Sequence, residues 1–345
     1  MRITPIEEIK PGMKLARAVY REEDGSVLLR PNIELKSNYI ERIKELKYSH
    51  VYTLNPDESG EEIIDDPVDE ELRFRARGLL KKTVGMLKSE EKVSLSRISV
   101  LVAEMVEQVY RQTDIVYNMV DIRSRENYLY AHSVNVCVIA LMIGASMSLN
   151  RMDMEKMGVG ALLHDLGLLA GDTPSAQGKG SSHSGGPEAA KQHPRAGYEL
   201  LKQKTELNFL AAHVALQHHE REDGSGYPRG LTGKRIHRFA KIVAVADAFD
   251  TLTHRSFQKG LAPYQAIQDI KADQGKYDEA VVDNFLKVMA PYPIGSVLLL
   301  DSGETVLVER VSRYECQVRV LAGGVQGTVY NLYQASKIKV VQFLN

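Results

Sequence analysis

Cysteine is nearly absent from this 345-residue chain: only Cys137 and Cys316 occur, far apart in sequence. That excludes a disulfide framework and fits a reducing compartment. The first residues, MRITPIEEIK, carry no apolar signal core. The longest greasy stretch, Val136 to Leu149, falls short of the roughly 20 residues that span a bilayer. These gaps lead to the expectation of a cytoplasmic protein without a membrane span. Net charge is also almost missing, at -1. A chain so balanced is not built to coat DNA or another polyanion, so a small charged ligand needs a local site.

What is present is ordinary for a globular protein: 43% apolar and 26% charged residues. The length suggests two or three domains. Residues 1–56 read as a small α+β module, in which an Asp24-Gly25 turn separates two apolar runs and Ser37 opens a helix with Ile40, Ile43 and Leu46 on one face. From Asp57 to Glu71 there are nine acidic residues and no basic one, the pattern of a solvated linker. Two amphipathic helices follow, so 57–118 reads as linker and connector, with a homodimer through helices 70–118 or packing onto the same chain as the alternatives. Residues 119–293 are almost wholly helical in pattern. After Pro291 and Pro293 the apolar period changes to strand alternation, giving a β extension over 294–345. The expected fold class is mainly α, with the small α+β module before the core and short β strands after it. The one low-complexity tract is GDTPSAQGKGSSHSGGP, residues 171–187.

Most of the ten histidines lie in the helical core. His132 sits in an apolar helix, His164-Asp165 at the end of a buried helix that Gly167 can terminate, and His193 before Pro194 at the start of another. His218-His219 close a helix, and Asp247 lies in the apolar AKIVAVADAFDTLT. A carboxylate inside an apolar helix is costly unless paired or coordinated, so Asp165 and Asp247 ask for a cation. A mixed His/Asp set favours iron, manganese or zinc over an all-oxygen magnesium site. Asp165 has two oxygens and can bridge two ions. Lone histidines are poor signs of ligation, and His50, His183, His213, His237 and His254 read as ordinary. Asp250 reads as a helix-stabilising carboxylate or one that supports a ligand.

From Tyr128 to Pro293 the motifs HSVNV, LLHDLG, HPRAG, HHEREDGSGYPRGLTG, AKIVAVADAFDTLT and YPIGSVLLLDSGE arrive in one order. The chain thereby resembles the HD-GYP subgroup of the HD-domain metal-dependent phosphohydrolases. The resemblance implies an all-α core with two divalent ions, iron or manganese, that hydrolyses cyclic di-GMP to pGpG or GMP with a metal-activated hydroxide. By position, His132, His164, Asp165 and Asp247 match the ligands of one metal. His193, His218 and His219 match those of the second, with Asp165 bridging. His164 and Asp165 are thus the catalytic pair. The DGSGYPRG loop, with Gly226, Tyr227 and Pro228, is expected to form a substrate wall, since glycines permit close backbone approach and the tyrosine can stack or donate to phosphate.

The sequence also departs from the subgroup. Leu168 stands where a lysine usually follows the HD motif, and a leucine cannot pair with phosphate. Lys179 is the expected substitute cation, and Arg255 is the nearest match to the phosphate-contacting arginine that the subgroup carries after FDTLT. Tyr128 occupies the place of a glutamate that serves a third metal in some members, so a two-metal site is expected. The alternative to an active phosphodiesterase is a catalytically weak protein that binds a cyclic dinucleotide or a signalling protein partner.

Overall fold

A computed structural model of the chain describes residues 2–21, 26–46, 48, 50–54, 66–89, 92–111, 116–117, 128–171, 191–206, 209–253, 260–273, 275–335 and 338–344. The Asp24-Gly25 turn, Glu126, Lys179, His183, His254 and Arg255 lie outside them. Within the first segment, β1 (Arg2–Pro5) pairs antiparallel with β4 (His50–Thr53), and β2 (Val19–Tyr20) with β3 (Val27–Leu29). Helix α1 (Ser37–Glu45) packs Ile40 and Ile43 against Leu15, Leu35 and Val51. Ser37 is the first residue of that helix, and Lys36 holds the cap position.

Helix α2 (Glu70–Lys88) begins where Asp69 accepts a hydrogen bond from the Leu72 backbone N–H at 2.8 Å. This puts one carboxylate of the acidic tract to use as an N-cap. The N-terminal module meets α2 through the Tyr20–Phe74 ring stack, and Asp66 lies between Arg17 at 3.5 Å and Arg73 at 3.3 Å. Helix α3 (Ser96–Arg111) follows. The apolar stripes of both, Leu72, Ala76, Leu80 and Val84 on α2 and Ile98, Val102 and Met105 on α3, join one core cluster with the helices that follow.

At the centre of that cluster lies α4 (Tyr128–Ser146). It is apolar all round, as a helix must be when neighbours cover every face. Helices α2, α3, α5 (Arg151–Leu162), α9 (Arg238–Thr253) and α11 (Glu279–Val288) surround it. By length and mean hydropathy it could cross a membrane, but 78% of it is buried inside the protein. Between α5 and α9 come the short α6 (Leu166–Ala170), α7 (His193–Lys204) and α8 (Phe209–Gln217); α10 (Pro263–Ala272) lies between α9 and α11.

The C-terminal segment forms a five-stranded antiparallel sheet in the order β8 (Val329–Asn331), β7 (Cys316–Ala322), β6 (Thr305–Val311), β5 (Val297–Leu300), β9 (Val340–Phe343). Alternate residues Val306, Val308, Val318 and Val320 face its own apolar cluster. The period-two pattern read from the sequence is this face.

Phe285 on α11 is fully buried and meets Phe249 on α9 edge to face at 5.3 Å. Phe285→Ala is expected to lower the unfolding free energy by about 3–5 kcal/mol, measured by urea denaturation followed by circular dichroism.

Candidate metal centre and substrate loop

Six residues converge on one buried carboxylate, that of Asp165. Asp165 lies in the break between α5 and α6, with its two oxygens facing different neighbours. Its Oδ2 is 3.5 Å from His164 Nε2 and 3.6 Å from His132 Nε2. Its Oδ1 is 3.2 Å from His193 Nε2 and 3.6 Å from His218 Nε2. Asp247 on α9 stands against both sides, 3.2 Å from His132 Nε2 and 3.8 Å from His219 Nδ1. Two groups, His132/His164/Asp165 and Asp165/His193/His218/His219, each offer ligand atoms within 4.8 Å of one another. Asp165 belongs to both, which is the arrangement a bridging carboxylate needs.

The rings are held by hydrogen bonds on their far sides. His164 Nδ1 is 2.7 Å from the Ala161 carbonyl, and His218 Nδ1 is 2.9 Å from the Ala215 carbonyl. A carbonyl only accepts, so Nδ1 carries the hydrogen and Nε2 is the atom turned toward Asp165. Behind His132, Nδ1 is 2.7 Å from Asp250 Oδ2, and Asn135 Nδ2 donates to Asp250 Oδ1 at 3.2 Å. Asp250 is fully buried, and its carboxylate supports a ligand as expected.

Electrostatics follow the same division. Burial pulls the His164 pKa down to about 4, which keeps its ring neutral. Burial also opposes charge on His132, but the hydrogen bonds it donates to Asp247 and Asp250 outweigh it and push the pKa up to about 10. For Asp165, burial acts upward, yet the surrounding imidazoles, His164 foremost, hold it well below the usual carboxylate range. Asp247 is depressed in the same way by His132 and His219 against its burial.

A divalent cation fits this set. His164 Nε2 is buried without a hydrogen-bond partner, and its lone pair faces a carboxylate. Acceptor facing acceptor in a buried pocket is unfavourable unless positive charge lies between them. Imidazole nitrogen mixed with carboxylate oxygen suits first-row transition ions.

The loop after His219 folds back over these residues. Tyr227 N donates to the His219 carbonyl at 3.2 Å, and its ring stacks on the His219 ring at 4.6 Å. Gly226 comes so near residues 219–221 that a Cβ would lie 2.4 Å from Arg221 N and His219 O. Only glycine permits that approach. Pro228 follows Tyr227 through a cis peptide bond. Burial, with Asp247 and Asp165 nearby, raises the Tyr227 pKa. The loop is anchored by Glu220, 2% exposed, whose carboxylate accepts from Arg229 N at 2.9 Å and Leu231 N at 2.8 Å. Sequence reading gave Glu220 no role of its own, although a charge between a ligand pair and a glycine loop is the signal that could have found it. Asn135, three residues after His132 and so on the same helix face, was legible in the same way.

Gly167 does not terminate a helix; it lies inside α6. A Cβ there would fall 2.1 Å from the His193 carbonyl and 2.8 Å from Gly197 N. This glycine lets α7 approach α6 and brings His193 to Asp165. Leu168 is half-buried on α6, three residues after Asp165. Lys179 and Arg255, proposed from sequence as cations, lie outside the described residues.

The helical core, the histidine break and the paired His/Asp sets have counterparts in known proteins. The HD domain family model matches residues 114–281. A cyclic di-GMP phosphodiesterase of Pseudomonas aeruginosa is 30% identical over 217 residues, covering 63% of this chain and 52% of that protein. The cyclic di-GMP phosphodiesterase response regulator RpfG of Xanthomonas campestris is 31% identical over 224 residues, covering 63% and 58%. The chain thus spans a little over half the length of these relatives. An HDG"Y"P protein of Bdellovibrio bacteriovorus shares the fold, with a TM-score of 0.50 at 18% identity, over 82% of this chain and 97% of that one. Over residues 114–281 the chain is thus similar to HD-domain proteins, cyclic di-GMP phosphodiesterases among them.

Asp250→Ala removes the acceptor behind His132, and metal affinity is expected to fall about 10–100-fold in competition with a chelator. Unchanged affinity would mean that packing alone orients His132. Gly167→Ala has to push α7 from α6, and a lowered melting temperature with weaker metal retention is the expected result in a thermal melt of the metal-loaded protein.

Proposed function

We propose that the chain is a metal-dependent phosphodiesterase that hydrolyses cyclic di-GMP to pGpG, GMP or both. The observation that carries this reading is the Asp165 carboxylate, with one oxygen toward each of two histidine sets, beside a loop that stacks Tyr227 on His219. His132, His164, Asp165 and Asp247 would hold one divalent ion, and His193, His218 and His219 the other, with Asp165 shared. Bound iron or manganese would polarise the phosphodiester and supply a nucleophilic water at neutral pH. The protein's own part is positional. His164 and His218 turn Nε2 inward, Asp250 fixes His132, and Glu220 holds the loop so that Tyr227 borders the reacting phosphate. The relatives' names, cyclic di-GMP phosphodiesterases of two bacteria, support the choice of substrate.

This reading divides the chain at 1–56, 57–118, 119–293 and 294–345. Separate apolar clusters near either end support the outer boundaries. If helices 70–118 also join two copies, the contact falls to their outward faces, where Val100 is 61% exposed, because their apolar stripes are buried in the core.

A second reading rests on Leu168. Its side chain offers no donor where the branch has a lysine, which favours a protein that binds the cyclic dinucleotide, turns it over slowly and signals through a partner.

Purified protein loaded with iron or manganese is expected to convert cyclic di-GMP to linear product, resolved by liquid chromatography. Leu168→Lys is expected to raise kcat, and His164→Ala and Asp165→Ala to abolish both metal content and turnover. Binding without hydrolysis, by wild type and Leu168→Lys alike, would establish the second reading. Turnover that survives loss of Asp165 would show that the site lies elsewhere.

A further inference from the structure

We propose that Arg221 supplies the cation that Leu168 cannot, meeting a phosphodiester oxygen of the substrate from the base of the loop. The inference rests on the phosphodiesterase reading and names a residue that the ligand set does not include. Arg221 is half-buried, two residues after His219. Its Nη1 donates to the carbonyls of His218 at 3.2 Å and Glu220 at 3.0 Å, and its guanidinium lies over the Tyr277 ring at 5.0 Å. Among the described residues it meets no carboxylate within ion-pair distance.

Several other partly buried cations of the chain are matched to acids. Arg17 and Arg73 share Asp66, and Lys241 lies 2.8 Å from Glu222 and 3.0 Å from Asp278. The neighbouring acid that could serve Arg221, Glu220, gives its two oxygens to Arg229 N and Leu231 N. A guanidinium withdrawn from water and lacking a counter-charge is poised for an anion that arrives from outside.

Its surroundings place it at the mouth of the site. Gly226 packs against Arg221 N, and the next residue, Tyr227, covers His219. The hydroxyls of Tyr227 and Tyr277 both feel the positive charge of Arg221 and the negative charge of Asp247. Through the His218 carbonyl and the Tyr277 ring, Arg221 is held beside the histidine pair that Tyr227 covers. One Nη1 edge is tied to the backbone and one face to Tyr277, which fixes the guanidinium in orientation. A planar fork so held suits a phosphodiester's two unesterified oxygens.

A competing role is purely structural: a cation at the end of α8, neutralising the exposed carbonyls there. The two roles separate by experiment. Arg221→Gln and Arg221→Lys are prepared as metal-loaded full-length protein, and metal content, melting temperature, KM and kcat for cyclic di-GMP, and equilibrium binding of pGpG are measured at several salt concentrations. The expected result for Arg221→Gln is unchanged metal content, KM and pGpG dissociation constant raised about tenfold or more, and a flatter dependence of both on salt. Arg221→Lys, which keeps the charge but not the planar fork, is expected to retain the salt dependence and only part of the affinity. A lowered melting temperature in both variants with wild-type KM and salt dependence would overturn the proposal in favour of the structural role. Should Arg221→Gln not fold, a wild-type salt dependence and affinity in Arg221→Met or Arg221→Ala would overturn it equally. Wild-type protein that neither binds nor hydrolyses cyclic di-GMP would remove the phosphodiesterase reading and this inference together; wild-type turnover matched by Arg221→Gln removes this inference alone.

Discussion

A carboxylate at the junction of α5 and α6 sets the terms for the helical core. Asp165 is 5% exposed, and its neighbours are imidazoles rather than lysine or arginine. Taking such an ion out of water costs several kcal/mol after relaxation, so the fold has to bring positive charge close to it. The arrangement is complementary to cations. Helices α4, α7, α8 and α9 are placed so that each brings one or two nitrogen or oxygen donors to this anion, and the central burial of α4 carries His132 to a depth that no surface helix could reach.

Helix ends do much of the positioning. His164 and Asp165 follow the end of α5, His218 and His219 follow the end of α8, and His193 is the first residue of α7. The last carbonyls of a helix have no partner within it. Here Ala161 and Ala215, each three residues before a histidine, take the Nδ1 hydrogen of His164 and His218. One device thus satisfies a helix terminus and fixes the tautomer of a ligand. Because Nδ1 is committed, Nε2 is available to a metal without rearrangement, and the ring cannot rotate away without exposing a buried carbonyl.

Most of this centre was legible in the sequence because the signals were local and chemically unusual: charged or metal-avid residues inside apolar runs, and a glycine loop directly after paired histidines. The strand alternation after Pro293 and the helical stripes before it were legible for the same reason, that period follows burial. What escaped was set by distance. Gly167 looks like a helix stop to a local reading, whereas its absence of a side chain answers the backbone of His193 across the site. Tyr277, far along the chain, carries no mark that it lies beneath Arg221. The apolar stripes of α2 and α3 fit a dimer contact or a core equally well on paper, and only packing shows that α4 and its neighbours cover them.

Metal binding and substrate handling are carried by different parts of the chain, and this limits what Leu168 can change. The nitrogen and oxygen donors are fixed by helix ends, by Asp250 and by the Gly167 contact, none of which involves the side chain at position 168. The loop is fixed by Glu220, by the close approach of Gly226 and by the Tyr227–His219 stack, again without it. On the proposed function, a leucine there leaves both the centre and the loop intact and lacks only the positive charge that a lysine would bring. Such a loss acts on the charge of the phosphoryl group as it is attacked rather than on folding or on metal occupancy. A cation reaching the same phosphodiester from the loop would act without disturbing the helices that hold the metals, since its anchors are the backbone carbonyls of His218 and Glu220.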